Sequence, residues 1–115
     1  MKHMKTAEVN FKITLDENNL PINIEWSASD TGDGGKSKAV MIAVWDEVAQ
    51  HTLRIDLWTK EMQKDEMKRF FHQNLLTMSD TFQRATGEEN IVEDLKDYCE
   101  HFAEKMEIKP PASGN

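Results

Sequence analysis

Apolar and polar residues alternate along the first part of the chain. Residues 9–15 read VNFKITL and residues 22–28 read INIEWSA, so every second side chain is apolar. A period of two is typical of a strand with one buried face. The turn-forming run DENNL and Pro21 separate the two stretches, and proline is tolerated at the first position of a strand. The pattern therefore predicts a β-hairpin over residues 9–28.

The next apolar run, AVMIAVWDEVAQ from Ala39 onward, is ambiguous because it is apolar on both faces. Its Val and Ile content favours a strand over residues 39–46, while its Ala and Met content leaves a helix open over residues 39–49. Residues 52–58, TLRIDLW, return to strand alternation. We expect the apolar positions of this strand to face the core and the others to share the opposite face: Leu53, Ile55 and Leu57 against Arg54, Asp56 and Trp58.

From about residue 60 the apolar spacing becomes three and four, which predicts two amphipathic helices. The stripe of the first consists of Met67, Phe70, Phe71, Leu75, Met78, Phe82 and Ala85, and that of the second of Ile91, Leu95, Tyr98, Phe102 and Met106. Asp65 and Glu66 complement the dipole in the first turn of the first helix. Gly87 is placed for a left-handed C′ position. Thr86 or Asn90 is the expected N-cap of the second helix.

Runs of strands followed by runs of helices predict an α+β fold. We expect a four-stranded antiparallel sheet of two hairpins, followed by two long C-terminal helices packed on one face. A length of 115 residues suits a single domain over residues 1–115. Within it we expect flexible ends at residues 1–8 and 109–115 and a flexible connector at residues 29–38.

The connector contains DTGDGGKSK, Asp30 to Lys38, which spells parts of two catalytic motifs. Asp-Thr-Gly occurs in retroviral-type aspartic proteases, but a hydrophobic strand should lead into it and Ser-Ala-Ser stands there instead. Gly-Lys-Ser closes a phosphate-binding loop, whose pattern requires glycine where Asp30 stands. The spacing of Asp30 and Asp33 does not match a calcium loop either. We interpret the segment as a solvated linker whose Gly and Asp residues serve turn geometry.

Charge and composition narrow the class of protein. The net charge is −7, which disfavours nucleic-acid binding and an anionic membrane surface. No stretch approaches the roughly 20 apolar residues of a membrane span, and the first residues show no apolar signal-peptide core. The single cysteine, Cys99, is typical of a reducing compartment. We therefore expect a cytoplasmic protein without direct membrane insertion.

No set of residues indicates catalysis, a cofactor or a metal. Cys99 and His101 are two positions apart on a predicted helix, so they point to different sides and cannot hold one ion together. No Ser/His/Asp or Cys/His arrangement stands out. We expect no enzymatic activity, no cofactor and no metal site.

The less ordinary feature is the set Arg54, Asp56 and Trp58 on one predicted strand face. Tryptophan and arginine are frequent hot spots of protein interfaces, so these three residues are the candidate partner surface. The alternative is that Arg54 and Asp56 pair with charges on a neighbouring strand and that Trp58 covers a sheet edge.

Several runs of the sequence are familiar, among them TLRIDLWTKEM and DTFQRAT, with IEWSASD and DYCEHFAEK around them. With these runs the chain resembles the gliding-motility-associated GldC family of Bacteroidetes-type bacteria, over about Val9 to Ile108. The resemblance implies a small soluble accessory protein linked to gliding motility. It implies no catalytic residues.

Taken together, these expectations describe a non-enzymatic accessory protein that binds other gliding-machinery proteins and is able to form a homodimer. The order of strands and helices is also similar to that of the export chaperone SecB, so a holdase chaperone is the alternative. A small-ligand-binding module that uses the Asp/Gly segment is a third hypothesis.

Overall fold

The computed structural model describes residues 4–109, in which five strands precede two helices. The elements are β1 (Val9–Leu15), β2 (Pro21–Ala28), β3 (Gly34–Ser37), β4 (Ala39–Trp45), β5 (Thr52–Trp58), α1 (Lys64–Thr86) and α2 (Asn90–Lys105). This order confirms the predicted α+β class. The chain divides into two compact units, a strand unit at residues 1–62 and a helix unit at residues 63–115. The predicted single domain, and the packing of the helices on one face of the sheet, stay predictions.

The strands form two antiparallel sheets, so the prediction of one four-stranded sheet is wrong. The first sheet has three strands in the order β1-β2-β3, and the second consists of β4 and β5. In the first sheet, Phe11 lies opposite Trp26 and Ile13 opposite Ile24. Ile24 is fully buried. The predicted hairpin over residues 9–28 is confirmed.

The additional strand, β3, arises within residues 29–38, which corrects the interpretation of that segment as a linker. Gly34 pairs with Ser27, and a Cβ atom at Gly34 would lie 2.7 Å from the carbonyl oxygen of Trp26. Only glycine permits this close approach of the two backbones. The turn before β3 is closed by the Ala28 N–H, which donates to the Asp33 carbonyl at 2.8 Å. A strand rich in glycine has no apolar alternation, so the sequence pattern did not reveal it.

The ambiguous run from Ala39 is a strand, since β4 pairs with β5 over its whole length. The turn between them is closed by the Asp46 N–H, which donates to the His51 carbonyl at 3.0 Å. The expectation that the apolar side of β5 lies in the core is wrong for two residues. Leu53 is 50% exposed and Ile55 is 55% exposed, whereas Leu57 is half-buried.

Hydrogen bonds between residues close in sequence mark the ends of the helices. The Gln63 N–H donates to Glu66 Oε1 at 2.9 Å ahead of α1. Gly87 adopts φ 75°, and its N–H donates to the Gln83 carbonyl at 2.8 Å. The predicted left-handed glycine is thereby confirmed. The N-cap prediction for α2 is wrong: Glu89 takes that position, since Thr86 is the last residue of α1 and Asn90 is already the first residue of α2.

The predicted stripes are only partly buried, and the most buried residues of the helix unit lie outside them. Ser79, Val92 and Cys99 are each at most 3% exposed. Ser79 lies two turns beyond His72, on the side where the His72 ring stacks on Phe102 of α2 with centroids 6.2 Å apart. In the predicted stripes, by contrast, six large side chains are 40% or more exposed: Phe71, Met78, Phe82, Ile91, Leu95 and Tyr98. Serine and cysteine carry little hydrophobic signal, but they let two helices approach closely.

The predicted flexible ends fall partly on residues 1–3 and 110–115, which lie outside the described residues. Within the described part, Glu8 exchanges hydrogen bonds with Ser29. The Glu8 N–H donates to Ser29 Oγ at 2.8 Å, and the Ser29 N–H donates to the Glu8 carbonyl at 2.9 Å. These bonds tie the entry of β1 to the end of β2.

Candidate functional site

The three residues of the candidate partner surface lie on one face of β5. Alternation places Arg54, Asp56 and Trp58 on the same side of the strand. Their neighbours across the sheet are small at both ends, since Ala43 lies opposite Arg54 and Ala39 opposite Trp58. Small partners on β4 leave the long side chains of β5 uncovered.

Arg54 and Asp56 form a two-pronged ion pair with each other. Arg54 Nε donates to Asp56 Oδ2 at 3.0 Å, and the terminal nitrogen Nη2 donates to Oδ1 at 2.9 Å. The hydrogen bonds and charge of Asp56 raise the pKa of Arg54 above its usual value. The residues opposite them on β4 are Ala43 and Met41. The alternative of pairing with charges on the neighbouring strand is therefore wrong, and the surface holds a neutral pair with a fixed geometry.

A second tryptophan, Trp45, belongs to the same face. It lies opposite Thr52, two positions before Arg54. Trp45 is 67% exposed and Trp58 is 56% exposed. The two indoles lie at opposite ends of the hairpin, six residues or about 20 Å apart. We call Trp45, Arg54, Asp56 and Trp58 the tryptophan face.

Sequence reasoning missed Trp45 because it left residues 39–49 open between strand and helix. Once β4 is a strand, the antiparallel register decides on which side each residue lies. The signal that could have found Trp45 is the turn run DEVAQH, which places Trp45 and Thr52 at the two ends of a hairpin loop.

A groove of about 330 Å³ adjoins the end of β5, next to Trp58. Leu20 and Pro21 form one wall, and Thr59 and Lys60 continue the other. Thr59 is 4% exposed, and its N–H donates to the Lys38 carbonyl at 2.8 Å. The volume is at the lower limit for ligand pockets. The groove is large enough to accept one side chain of a partner beside the Trp58 indole.

The turn between β1 and β2 holds one wall of this groove through Asp16. Asp16 Oδ2 lies 2.8 Å from Lys60 Nζ, while Oδ1 accepts the N–H groups of Asn18 and Leu20 at 2.8 and 3.0 Å. The Lys60 hydrogen bond, followed by those from Leu20 and Asn18, lowers the pKa of Asp16 to about 2. Asp16 therefore stays ionised at physiological pH and links the hairpin turn to the segment after β5.

The opposite face of the β4–β5 hairpin is aliphatic. The register pairs Val40 with Leu57, Ile42 with Ile55 and Val44 with Leu53, and none of these six side chains is polar. Val44, Leu53 and Ile55 are each at least 50% exposed. We call this six-residue surface the aliphatic face. The hairpin thus has one aromatic and charged side and one purely aliphatic side.

The motif-like residues of DTGDGGKSK are not arranged for catalysis. Lys36 lies within β3, opposite Glu25 on β2, instead of in a loop that leads into a helix. A phosphate-binding loop needs such a loop and helix N-terminus. Within residues 4–109, no group of three His, Cys, Asp or Glu side chains is arranged to hold a metal ion. Cys99 is a buried free thiol.

No helix of the described chain has both the length and the apolar character needed to cross a bilayer.

A family model described as gliding motility-associated protein GldC-like matches residues 21–108. The match begins at the first residue of β2 and ends just beyond α2, so it includes β2 to β5, both helices and the tryptophan face but not β1. No curated protein and no solved structure matches the chain. The family model spans well over half of the 115 residues. The resemblance seen in the sequence is thereby confirmed, and the chain belongs to the GldC-like family of gliding motility-associated proteins.

Proposed function

We propose that this GldC-like protein is a non-enzymatic, cytoplasmic accessory protein of gliding motility, and that it binds other proteins of the gliding machinery through the tryptophan face. Family membership connects the chain to the process. Exposure of two tryptophans on one sheet face is the observation that supports protein binding.

Two properties make the tryptophan face suitable for a partner. Burying the indoles of Trp45 and Trp58 would remove a large apolar area from water, and tryptophan is the residue type most enriched among hot spots. The ion pair between Arg54 and Asp56 already neutralises both charges. Covering a satisfied pair requires less compensation from the partner than covering a single charge.

The experiment is a quantitative affinity purification from a native lysate of cells that glide. The bait is the full chain as wild type, as Trp58→Ala or as Trp45→Ala. We expect the recovery of a specific partner to fall about tenfold or more for each variant, because loss of a hot-spot side chain typically costs 2 kcal/mol or more.

The matched control is Tyr98→Ala. Tyr98 is 56% exposed, as Trp58 is, but it lies on α2 in the helix unit. Its substitution should leave recovery unchanged. Equal recovery with wild type and both tryptophan variants would refute the tryptophan face as the partner surface, while a loss with Tyr98→Ala alone would assign the surface to α2.

A holdase chaperone is the second candidate, and the aliphatic face favours it. A chaperone of that kind needs a sizeable exposed apolar surface, and Val44, Leu53 and Ile55 are half exposed or more. Suppression of the aggregation of an unfolded client, lost in Ile55→Asp but kept in Trp58→Ala, would favour this candidate. No suppression at an equimolar ratio would exclude it. The possible homodimer stays a prediction, and the aliphatic face is the surface on which to test it.

A further inference from the structure

The helix unit contains a groove of about 500 Å³ that is separate from the tryptophan face. Among its polar lining residues, His72 and Gln73 lie three and four positions after Arg69 on α1, so both are neighbours of Arg69 on the helix surface. Lys109 supplies a further cation from the segment after α2. Among the described residues, no aspartate or glutamate lines the groove.

The end of α2 builds the other wall through a C-terminal cap. Glu107 adopts φ 55°, the Glu107 N–H donates to the Glu104 carbonyl at 3.2 Å, and the Ile108 N–H donates to the Ala103 carbonyl at 2.8 Å. These two bonds are those of a Schellman motif, which turns the chain back over the last helical turn. Ile108 and Ala103 therefore line the same groove, and Leu76 of α1 joins them. The result is an apolar floor beneath a polar rim.

Arg69 and Lys109 at the rim differ in their pairing from Arg54 and Lys60 of the strand unit. Arg54 pairs with Asp56, and Lys60 pairs with Asp16. Arg69 and Lys109 have neither an ion pair nor a side-chain hydrogen bond with any residue of the described range 4–109. Two cations without a partner in the described range, around an apolar floor and with no acid among the described lining residues, select a ligand that is both anionic and apolar.

We propose that this groove binds a partner peptide segment in which aspartate or glutamate alternates with large aliphatic residues. The carboxylates pair with Arg69 and Lys109, and an aliphatic side chain enters the floor at Leu76 and Ile108. Gln73 favours a peptide over a fatty acid as the ligand, because its amide offers both a donor and an acceptor and so matches a backbone peptide group. The proposal does not rest on the proposed role of the tryptophan face.

The test is an NMR titration of the ¹⁵N-labelled full chain with the peptide acetyl-Leu-Asp-Leu-Glu-Leu-amide at low salt. We expect shift changes confined to residues 69–76 and 103–109. The control peptide replaces the two acids by Asn and Gln. It should bind about tenfold more weakly, as should the variant Arg69→Gln/Lys109→Gln with the acidic peptide, since each loses two exposed ion pairs.

The matched protein control is Arg84→Gln, which removes a cation from the last turn of α1, outside the groove. It should bind the acidic peptide as the wild type does. The proposal is overturned if the acidic and neutral peptides bind equally, if Arg84→Gln weakens binding as much as the double variant, or if the shifts lie elsewhere. Octanoate that produces the same shifts with a higher affinity than the peptide would also overturn it, in favour of a small amphipathic acid.

Discussion

The strand unit and the helix unit present surfaces that differ in charge: one holds a neutral ion pair and the other holds cations without a partner among the described residues. On the tryptophan face, Arg54 is already held by Asp56, and two exposed indoles flank the pair. In the helix groove, Arg69 and Lys109 have no partner within the described residues. A surface whose charges are satisfied binds mainly through apolar area, whereas unpaired cations give affinity that falls with salt.

The two units also differ in what they bury. Among the described residues, the strand unit buries one large side chain completely, Ile24, whereas the helix unit buries the small residues Ser79 and Cys99. The first arrangement is sensitive to loss of volume and the second to its addition. Substitutions that change volume in opposite directions therefore test whether the units are held together differently.

The largest effect is expected for Ile24→Ala. Deleting a fully buried branched side chain removes its transfer free energy and leaves a cavity, which lowers the free energy of unfolding by about 2–5 kcal/mol. Ile22→Ala is the control, because Ile22 lies on the same strand and is 48% exposed. Urea denaturation should show a loss of less than about half as much for this control. Equal losses would mean that Ile24 is not the centre of the strand unit.

A smaller effect is expected for Ser79→Leu. The larger side chain does not fit where the helices approach closely, and it removes the hydrogen bond from Ser79 Oγ to the Leu75 carbonyl. Overpacking of this kind costs about 1–3 kcal/mol. The control is Met78→Leu, at a position 59% exposed on the same helix, which should change the midpoint of urea unfolding little. If Ser79→Leu leaves the free energy of unfolding unchanged, the contact between α1 and α2 is loose.

A gain in stability is expected for Glu107→Gly. Glu107 holds a left-handed conformation with φ 55°, which glycine adopts without a steric penalty, so the thermal midpoint should rise by the equivalent of about 1 kcal/mol. Glu107→Ala keeps the penalty and should give no gain. The same glycine substitution should preserve the helix groove, since the cap that forms its wall remains.

The smallest effect concerns Asp16 and is expected only at acidic pH. Its folded pKa of about 2 lies below the ordinary value of 3.8, so the stabilisation is fully present above about pH 4 and is lost as the pH falls toward 2. In Asp16→Asn this pH dependence should disappear, while Glu17→Gln, an exposed neighbour, should keep it. Thermal unfolding between pH 2 and pH 5 measures the difference. An unchanged acid profile in Asp16→Asn would contradict the contribution of the Lys60 pair.

Sequence reasoning succeeded where one face of an element differs from the other. The alternation of VNFKITL and TLRIDLW predicted β1 and β5 at their observed bounds, and the glycine that ends α1 was recognised from its position. It failed where steric fit decides. β3 exists because Gly34 can approach the Trp26 carbonyl, a contact across the sheet that no local pattern encodes. The helix contact uses Ser79, whose small size matters more than its hydrophobicity.

The candidate site shows the same contrast between what local sequence pattern predicts and what contacts distant in sequence decide. Arg54, Asp56 and Trp58 were placed on one face by alternation alone, and the structure agrees. Their pairing with each other depended on having Ala43 and Met41 as neighbours, and Trp45 joined the face only through the register of β4. Non-local pairing, which a single sequence does not reveal, therefore completed the surface.

The most direct measurement of the central claim is site-specific photo-cross-linking in gliding cells. A benzophenone amino acid replaces Trp45, Trp58 or, as the control, Tyr98 in the full-length chain. The account predicts that positions 45 and 58 capture the same partner protein and that position 98 does not. Capture of that partner from position 98 alone, or of none from positions 45 and 58, would contradict the tryptophan face as the surface through which this protein acts.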